Sequence, residues 1–381
     1  MKHTTTGSTT DVLVVGAGIV GLAFALQAAQ RGLRVTVVER DAACTGASIR
    51  NFGFVTVTGQ GAGDTWQRAR RSRDIWADIA PRAGIPVLHR GLLLPVRRPV
   101  ALPVLEAFMQ TPMAEGCRLH DAAALHGGPL VRHEALRLDG VLAVLESPHE
   151  LRVESRVAVP RLAAWLAEEH GVQFRWGEEV LEVAAPRVRT SRATLHTERV
   201  VVCPGAGLNG LFATELAAHE LQLCQLQMLR VRPHKGFRLP AAVMGELSLV
   251  RYRGYAELPQ AGALADVLQH EEAASLHHGI HLIAVQSEDG TLVVGDSHHY
   301  GAAPSPFALD EVDALILRHL RRTLDLREAQ VVERWTGMYP VSMQHDALLL
   351  APDTATRVAV VTSGTGASTA FALAEDAFRD W

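Results

Sequence analysis

The sequence predicts an α/β fold in which a parallel sheet with crossover helices is joined to a second, mostly antiparallel sheet. Three observations carry this. A short apolar run, a glycine turn, a helix and a second apolar run follow one another between Val12 and Glu39. A second apolar run, glycine loop and helix close the chain between Val358 and Phe378. The segments between them alternate apolar and polar residues with the period of half-buried strands.

Length and composition set the bounds. At about 150 residues per domain, the 381 residues allow two or three domains. With 48% hydrophobic and 20% charged residues, a large core can form and wholesale disorder is excluded. The formal net charge of -4 argues against a nucleic-acid partner, which would require a basic surface. Lysine occurs only as Lys2 and Lys235, so Lys235 is the one lysine available to a buried catalytic role. The four cysteines, Cys44, Cys117, Cys203 and Cys224, are far apart, without the spacing of a disulfide framework or a zinc site. That usage predicts a reduced, cytoplasmic protein. Met1–Thr10 is polar and does not read as a signal peptide, and Val12–Ala29 is too interrupted by glycine to read as a membrane span.

Read in order, Val12–Val15 suits a strand buried on both faces, and Leu22–Arg31 a helix stopped by Gly32. Val35–Val38 is the next strand, completing a βαβ unit. Helices are expected at Asp64–Ala80, Leu102–Glu115, Val159–Glu169 and Asp310–Leu324. Strands are expected at Gly91–Arg97, Val141–Glu146, Val172–Trp176, Glu179–Val183 and Arg199–Val202, the last leading into the glycine turn Cys203–Gly207. Leu221–Pro233, Leu247–Tyr255, Ile280–Gln286 and Leu292–Gly295 are the strands of the antiparallel sheet. Val358–Thr362, the loop Ser363–Ser368 and a helix Thr369–Phe378 end the chain. The expected division is discontinuous: residues 1–85, 151–215 and 326–381 in the nucleotide domain, 86–150 and 216–325 in the other.

The turn Gly16-Ala17-Gly18-Ile19-Val20-Gly21 is the GxGxxG pattern of a Rossmann-like dinucleotide site. Its first glycine permits the tight turn, its second lets backbone approach a pyrophosphate, and its third allows close helix–strand packing. The helix N-terminus supplies free N–H groups and the positive dipole end. Glu39, at the end of the second strand, can accept bonds from both ribose hydroxyls and would repel a 2′-phosphate. The C-terminal loop is either an ordinary βα turn or a second cofactor contact. Its helix N-terminus can stabilise negative charge on a reduced flavin.

Val12–Asp41, Gly46-Ala47-Ser48, Val200–Gly207 and Ser363–Ala372 together resemble the D-amino-acid oxidase superfamily, most of all its glycine oxidase and sarcosine oxidase branch. The resemblance covers nearly the whole chain. It implies non-covalent FAD in a Rossmann-like FAD-binding domain, and a substrate domain whose sheet covers the flavin. By it, Gly16, Gly18 and Gly21 hold the pyrophosphate, and Glu39, with Arg40 beside it, the adenosine side. Ser48 and Gly205 lie near the dinucleotide, Val180 near the adenine, and Gly364, Gly366 and Ser368 near the pyrimidine end of the flavin. It also implies oxidation of a carbon–nitrogen bond in a small amine: hydride passes from the carbon beside nitrogen to flavin N5, and water hydrolyses the imine. The electron acceptor, oxygen or another, stays open, because the lysine that sarcosine oxidases use has no clear match in Thr291–Tyr300.

Two departures bear on substrate. Where many members carry Gly-x-Arg-Pro, with the arginine clamping a carboxylate, this chain has Gly337-Met338-Tyr339-Pro340. A tyrosine cannot supply bidentate charge pairing. The same segment lacks the cysteine through which sarcosine oxidases attach flavin. The strings Gly46–Gly53, Gly295–Gly301 and Thr365–Phe371 resemble a subgroup of FAD oxidoreductases associated with phosphonate degradation. That resemblance implies 2-aminoethylphosphonate or its N-methyl derivative as substrate, with Arg50, Arg251, Arg253 and Lys235 available for the dianion. Arg50, Asn51, His298 and Tyr339 are the candidate catalytic residues, and no metal site is expected. A glycine or sarcosine-type oxidase, a dehydrogenase with another acceptor, and a non-catalytic FAD-binding subunit or redox sensor are the alternatives.

Overall fold

The computed structural model describes residues 10–121, 124, 134–379 and 381, so all of segment 1–10 but Thr10 lies outside the described residues. The first sheet has the order Ala347–Leu350, Thr356–Val361, Thr194–Val202, Thr10–Val15, Val35–Glu39, Gln173–Trp176. Its pairs are parallel except the one that adds Ala347–Leu350 at the edge. A hairpin, Val180–Ala184 with Arg187–Thr190, extends from Thr194–Val202. The first strand is central because Val12, Leu13 and Val14 are buried on both faces, the condition of a parallel sheet covered by helices.

The helices Ile19–Gln30, Asp64–Arg82, Ser155–His170 and Gly366–Ala377 share one apolar core on this sheet. The N-terminal helix is apolar nearly all round, with Leu22, Ala23, Phe24 and Leu26 buried, so it sits between layers instead of on the surface. Gly171, at φ 67°, ends the third of these helices in the left-handed conformation glycine tolerates best. Among the described residues, no helix is long and apolar enough to cross a membrane.

The second sheet has ten strands. Its longest pairing is antiparallel, Gln222–Pro233 with Ala329–Val341, in register from Gln222↔Val341 to Pro233↔Ala329. Only Ala242–Met244 runs parallel to its neighbour Val87–Val96 among the described pairs. The helix Asp310–Thr323 covers one face through Val312, Ile316 and Leu320. The other face holds Leu226, Met228, Ile283 and Tyr255 in a separate core. The α/β reading with two sheets therefore holds.

Leu247–Tyr255 and Leu102–Glu115 differ from expectation. Leu247–Tyr255 is not a strand. Glu246–Val250 is a 3-10 turn and Arg253–Ala256 a short helix. The run alternates, but it follows Gly245 and contains Gly254, and the backbone closes on itself through Tyr252 N–H to the Ser248 carbonyl at 2.9 Å. A short apolar run does not by its period distinguish strand from turn. The helix at Leu102 stops at Phe108, not Glu115, because Pro112 lacks an N–H and disfavours helix at Thr111.

Trp76 is buried against Phe371, with ring centroids 5.1 Å apart at 89°, and donates its indole N–H to the Ala367 carbonyl at 2.8 Å. Trp76→Ala is expected to cost about 3–5 kcal/mol, read as a lower denaturant midpoint. His89 is half-buried, its pKa pushed down to about 3 by desolvation and then by Arg152, and burial lowers His319 as well. Unfolding lets both titrate near 6.5, so the unfolded chain binds more protons. Stability is then fully present above about pH 6.5 and drains as pH falls toward 3. Thermal melts from pH 7 to pH 4.5 check this; a flat profile contradicts it.

Candidate active site

The first glycine turn is held by contact between backbones. A Cβ on Gly21 would lie 1.9 Å from the Gly16 carbonyl oxygen, and one on Gly16, at φ 99°, would lie 2.7 Å from the Cys203 carbonyl oxygen. Only glycine lets the helix start this close to the strand end. Glu39 accepts from the Ala17 N–H at 2.7 Å and the Asp41 N–H at 3.0 Å, so its carboxylate is fixed beside the turn. Arg40 is exposed nearby. Val180 is buried in the core formed with Leu13, Val38 and Val188.

Residues 46–53 form the next wall. Ser48 Oγ accepts from the Ile19 N–H at 2.9 Å, taking up one of the donors that a helix start leaves free. Asn51 is committed to its own loop. Its Nδ2 donates to the Ala47 and Ser48 carbonyls, and its Oδ1 accepts from the Gly53 N–H and the Ser155 hydroxyl. Arg50 is exposed, with Nε donating to the Thr45 carbonyl at 2.7 Å and Nη1 reaching the Thr336 carbonyl at 3.5 Å.

The last helix starts at Gly366, three residues before the expected Thr369, which brings its N-terminus against the first one. A Cβ on Gly366 would touch Ile19 Cγ2 at 3.4 Å, and one on Gly364, at φ 71°, would press on the Tyr339 ring at 3.0 Å. Ser368 Oγ accepts from the Thr56 N–H at 2.9 Å. A cavity of about 390 Å³ runs along these elements. Gly18, Gly21, Ser48 and Gly205 line one end; Gly364, Gly366 and Ser368 line its flank; Arg50 and Asn51 border it. Gly16, Glu39, Arg40 and Val180 are not in its lining.

The far wall comes from the second sheet: Arg251, His281, Asp296, His298, Tyr300 and Tyr339. Arg251 and Arg253 were both available for the dianion, and the turn separates their roles. Arg253 is exposed and paired with Glu257 at 2.6 Å and Asp346 at 3.3 Å. Arg251 is half-buried, and no described carboxylate lies within ion-pair distance of it. Burial opposes its charge, but Tyr300, Tyr339 and Asp296 outweigh that and raise its pKa. Burial also works against the Asp296 carboxylate, and His298, His281 and Arg251 more than offset it, holding its pKa at about 2. His298 is buried and neutral, lowered to about 3 chiefly by desolvation. Burial raises Tyr339 well above its ordinary value, so it remains a neutral phenol able to donate. Sequence reasoning singled out His298 and Tyr339 but not Asp296 or His281. Asp296 stands two residues before His298 at a strand end, a readable signal; His281 has no local one.

The profile of the DAO family, described as FAD dependent oxidoreductase, matches residues 11–378, and the chain belongs to that family. Comparison with curated protein sequences gives no match. Among solved structures, the L-proline dehydrogenase of P. horikoshii is similar at 17% identity and a TM-score of 0.76, over 97% of this chain and 92% of that one. The glycine oxidase of Bacillus cereus ATCC 14579 is similar at 16% identity and a TM-score of 0.76, over 98% and 96%. The L-alpha-glycerophosphate oxidase of Mycoplasma pneumoniae, solved with FAD bound, is similar at 16% and 0.73, over 98% and 95%. The cofactor is FAD, and the site fits it. The glycine cradle would be filled by any Cβ, an acidic residue ends the second strand, and one cavity joins both glycine loops.

Ser48→Ala removes the acceptor for the Ile19 N–H. It is expected to cost about 1 kcal/mol, read as roughly fivefold weaker FAD retention in fluorescence titration. Unchanged retention would mean that this bond does not set the cradle.

Proposed function

We propose that the chain oxidises the carbon–nitrogen bond of a small amine carrying an anionic headgroup, with 2-aminoethylphosphonate or its N-methyl derivative as the candidate substrate. The observation that carries this is Arg251: a half-buried guanidinium on the cavity wall, without a carboxylate partner among the described residues. A cation held there unpaired suits an anion brought by the substrate. Arg50 suits it less, because its guanidinium is turned to main-chain carbonyls. The C–N reading is supported by family membership and by likeness to a proline dehydrogenase and a glycine oxidase. The headgroup reading is supported by Tyr339 standing where the resemblance expects a carboxylate-clamping arginine.

FAD, when bound, supplies the two-electron acceptor. The chain supplies position and a screened environment. Arg251 binds the anion, fixing the amine end at a set distance from it. Tyr339, neutral and packed under Gly364, closes the wall nearest the second glycine loop. The N–H groups at the start of the last helix would hold the flavin end of the cofactor and supply positive dipole for the negative charge it gains on reduction. The buried aromatic and aliphatic wall, Phe52, Phe54, Leu226 and Ile283, limits water around the reacting carbon.

Anaerobic titration of the purified holoprotein is expected to bleach the flavin band with 2-aminoethylphosphonate or N-methyl-2-aminoethylphosphonate, and not with glycine or sarcosine. Bleaching by glycine or sarcosine alone would place the chain with the amino-acid oxidases. No bleaching by any amine would leave a non-catalytic FAD protein. Admitting air to the reduced protein then reads the acceptor, since slow reoxidation excludes oxygen as the working oxidant. Arg251→Gln is expected to raise the half-saturating substrate concentration about 10- to 100-fold with the flavin spectrum intact. A change confined to the rate at saturation would remove Arg251 from the headgroup role.

A further inference from the structure

Three buried groups, His281, Asp296 and His298, meet on the cavity wall. His298 Nδ1 lies 2.8 Å from the Gly279 carbonyl, which only accepts, so the proton is on Nδ1 and Nε2 is a bare lone pair. Ser248 Oγ lies 3.2 Å from the His281 carbonyl, to which it donates, and 3.3 Å from His281 Nδ1. In the tautomer that carries its proton on Nδ1, His281 donates to Ser248 and its Nε2 is bare as well. Both bare nitrogens face Asp296: His281 Nε2 lies 3.1 Å from Oδ1 and His298 Nε2 3.6 Å from Oδ2. Asp296 Oδ1 has no hydrogen-bond donor, though Asp296 is only 5% exposed. Acceptors converging this closely in a low-dielectric site repel unless a cation lies among them.

We propose that His281, Asp296 and His298 form a divalent metal site, of the borderline class that takes two imidazoles and one carboxylate. The donor atoms of the three side chains lie within 4.8 Å of one another. Two nitrogens and one oxygen match the donor set of zinc and of first-row ions that leave a coordination position open. Each imidazole is oriented by a hydrogen bond from its other nitrogen, to the Gly279 carbonyl and the Ser248 hydroxyl. That is how metal-binding histidines are usually held. The three side chains line the cavity together with Arg251, so an open position there would give an anionic group two cationic contacts instead of one.

Zinc titrated into chelator-treated, flavin-loaded protein by calorimetry tests this. The expected result is one zinc per chain, with about 100-fold weaker binding in both His298→Ala and Asp296→Asn. His299→Ala, whose ring contacts His278 instead, is the control for adventitious binding among the 18 histidines and should bind like the parent. A variant that does not fold is recognised by loss of its flavin spectrum, and His281→Gln then takes its place. The site is overturned if no stoichiometric zinc binds, or if His298→Ala and Asp296→Asn bind zinc like the parent. The readout needs no turnover, so an inert response to amines would leave it standing.

Discussion

The structure depends on one backbone contact: the start of the N-terminal helix lies against the carbonyl of Gly16, at a distance that excludes any side chain on Gly21. That contact fixes where the helix begins and which way its N–H groups point. Ser48 then docks on Ile19, and the loop of Ser48 is braced by Asn51 against its own carbonyls and Ser155. The last helix packs on the same point through Gly366. The two ends of the chain therefore meet at one cofactor cradle because small residues let three backbones approach.

The second sheet answers a different constraint. Its cavity face carries charge in low-dielectric surroundings, and each charge needs a partner. Arg253 finds Glu257 and Asp346 at the rim. Arg251 is half-buried, and Tyr300, Tyr339 and Asp296 are the groups that act most to hold its charge. The site is thus polar but incomplete within the chain. A cation among the Asp296 cluster and an anion beside Arg251 would complete it from outside.

Much of this was legible locally. The glycine turn, its flanking strands, Glu39 and the closing strand–loop–helix all follow from short-range pattern, because turn chemistry and burial period act over a few residues. Leu247–Tyr255 was misread for the same reason. Its alternation mimics a strand, and only packing of Gly254 against the backbone at Gly59 and Gln60 forces a turn. Asn51 looked like an active-site polar group, yet its amide is spent on its own loop, a fact of three-dimensional hydrogen bonding.

The sequence by itself determined the family-level chemistry: a dinucleotide cradle at one end, a second glycine loop at the other, and no arginine where a carboxylate clamp is expected. These rest on residue types that have few alternatives, since only glycine fits a backbone contact and only a fixed charge binds bidentately. Tertiary structure decided which polar groups share a wall. Arg251, His281, Asp296 and His298 come from a turn, a loop and a strand end. They meet only because strands pair across the sheet, at a range no local spacing records.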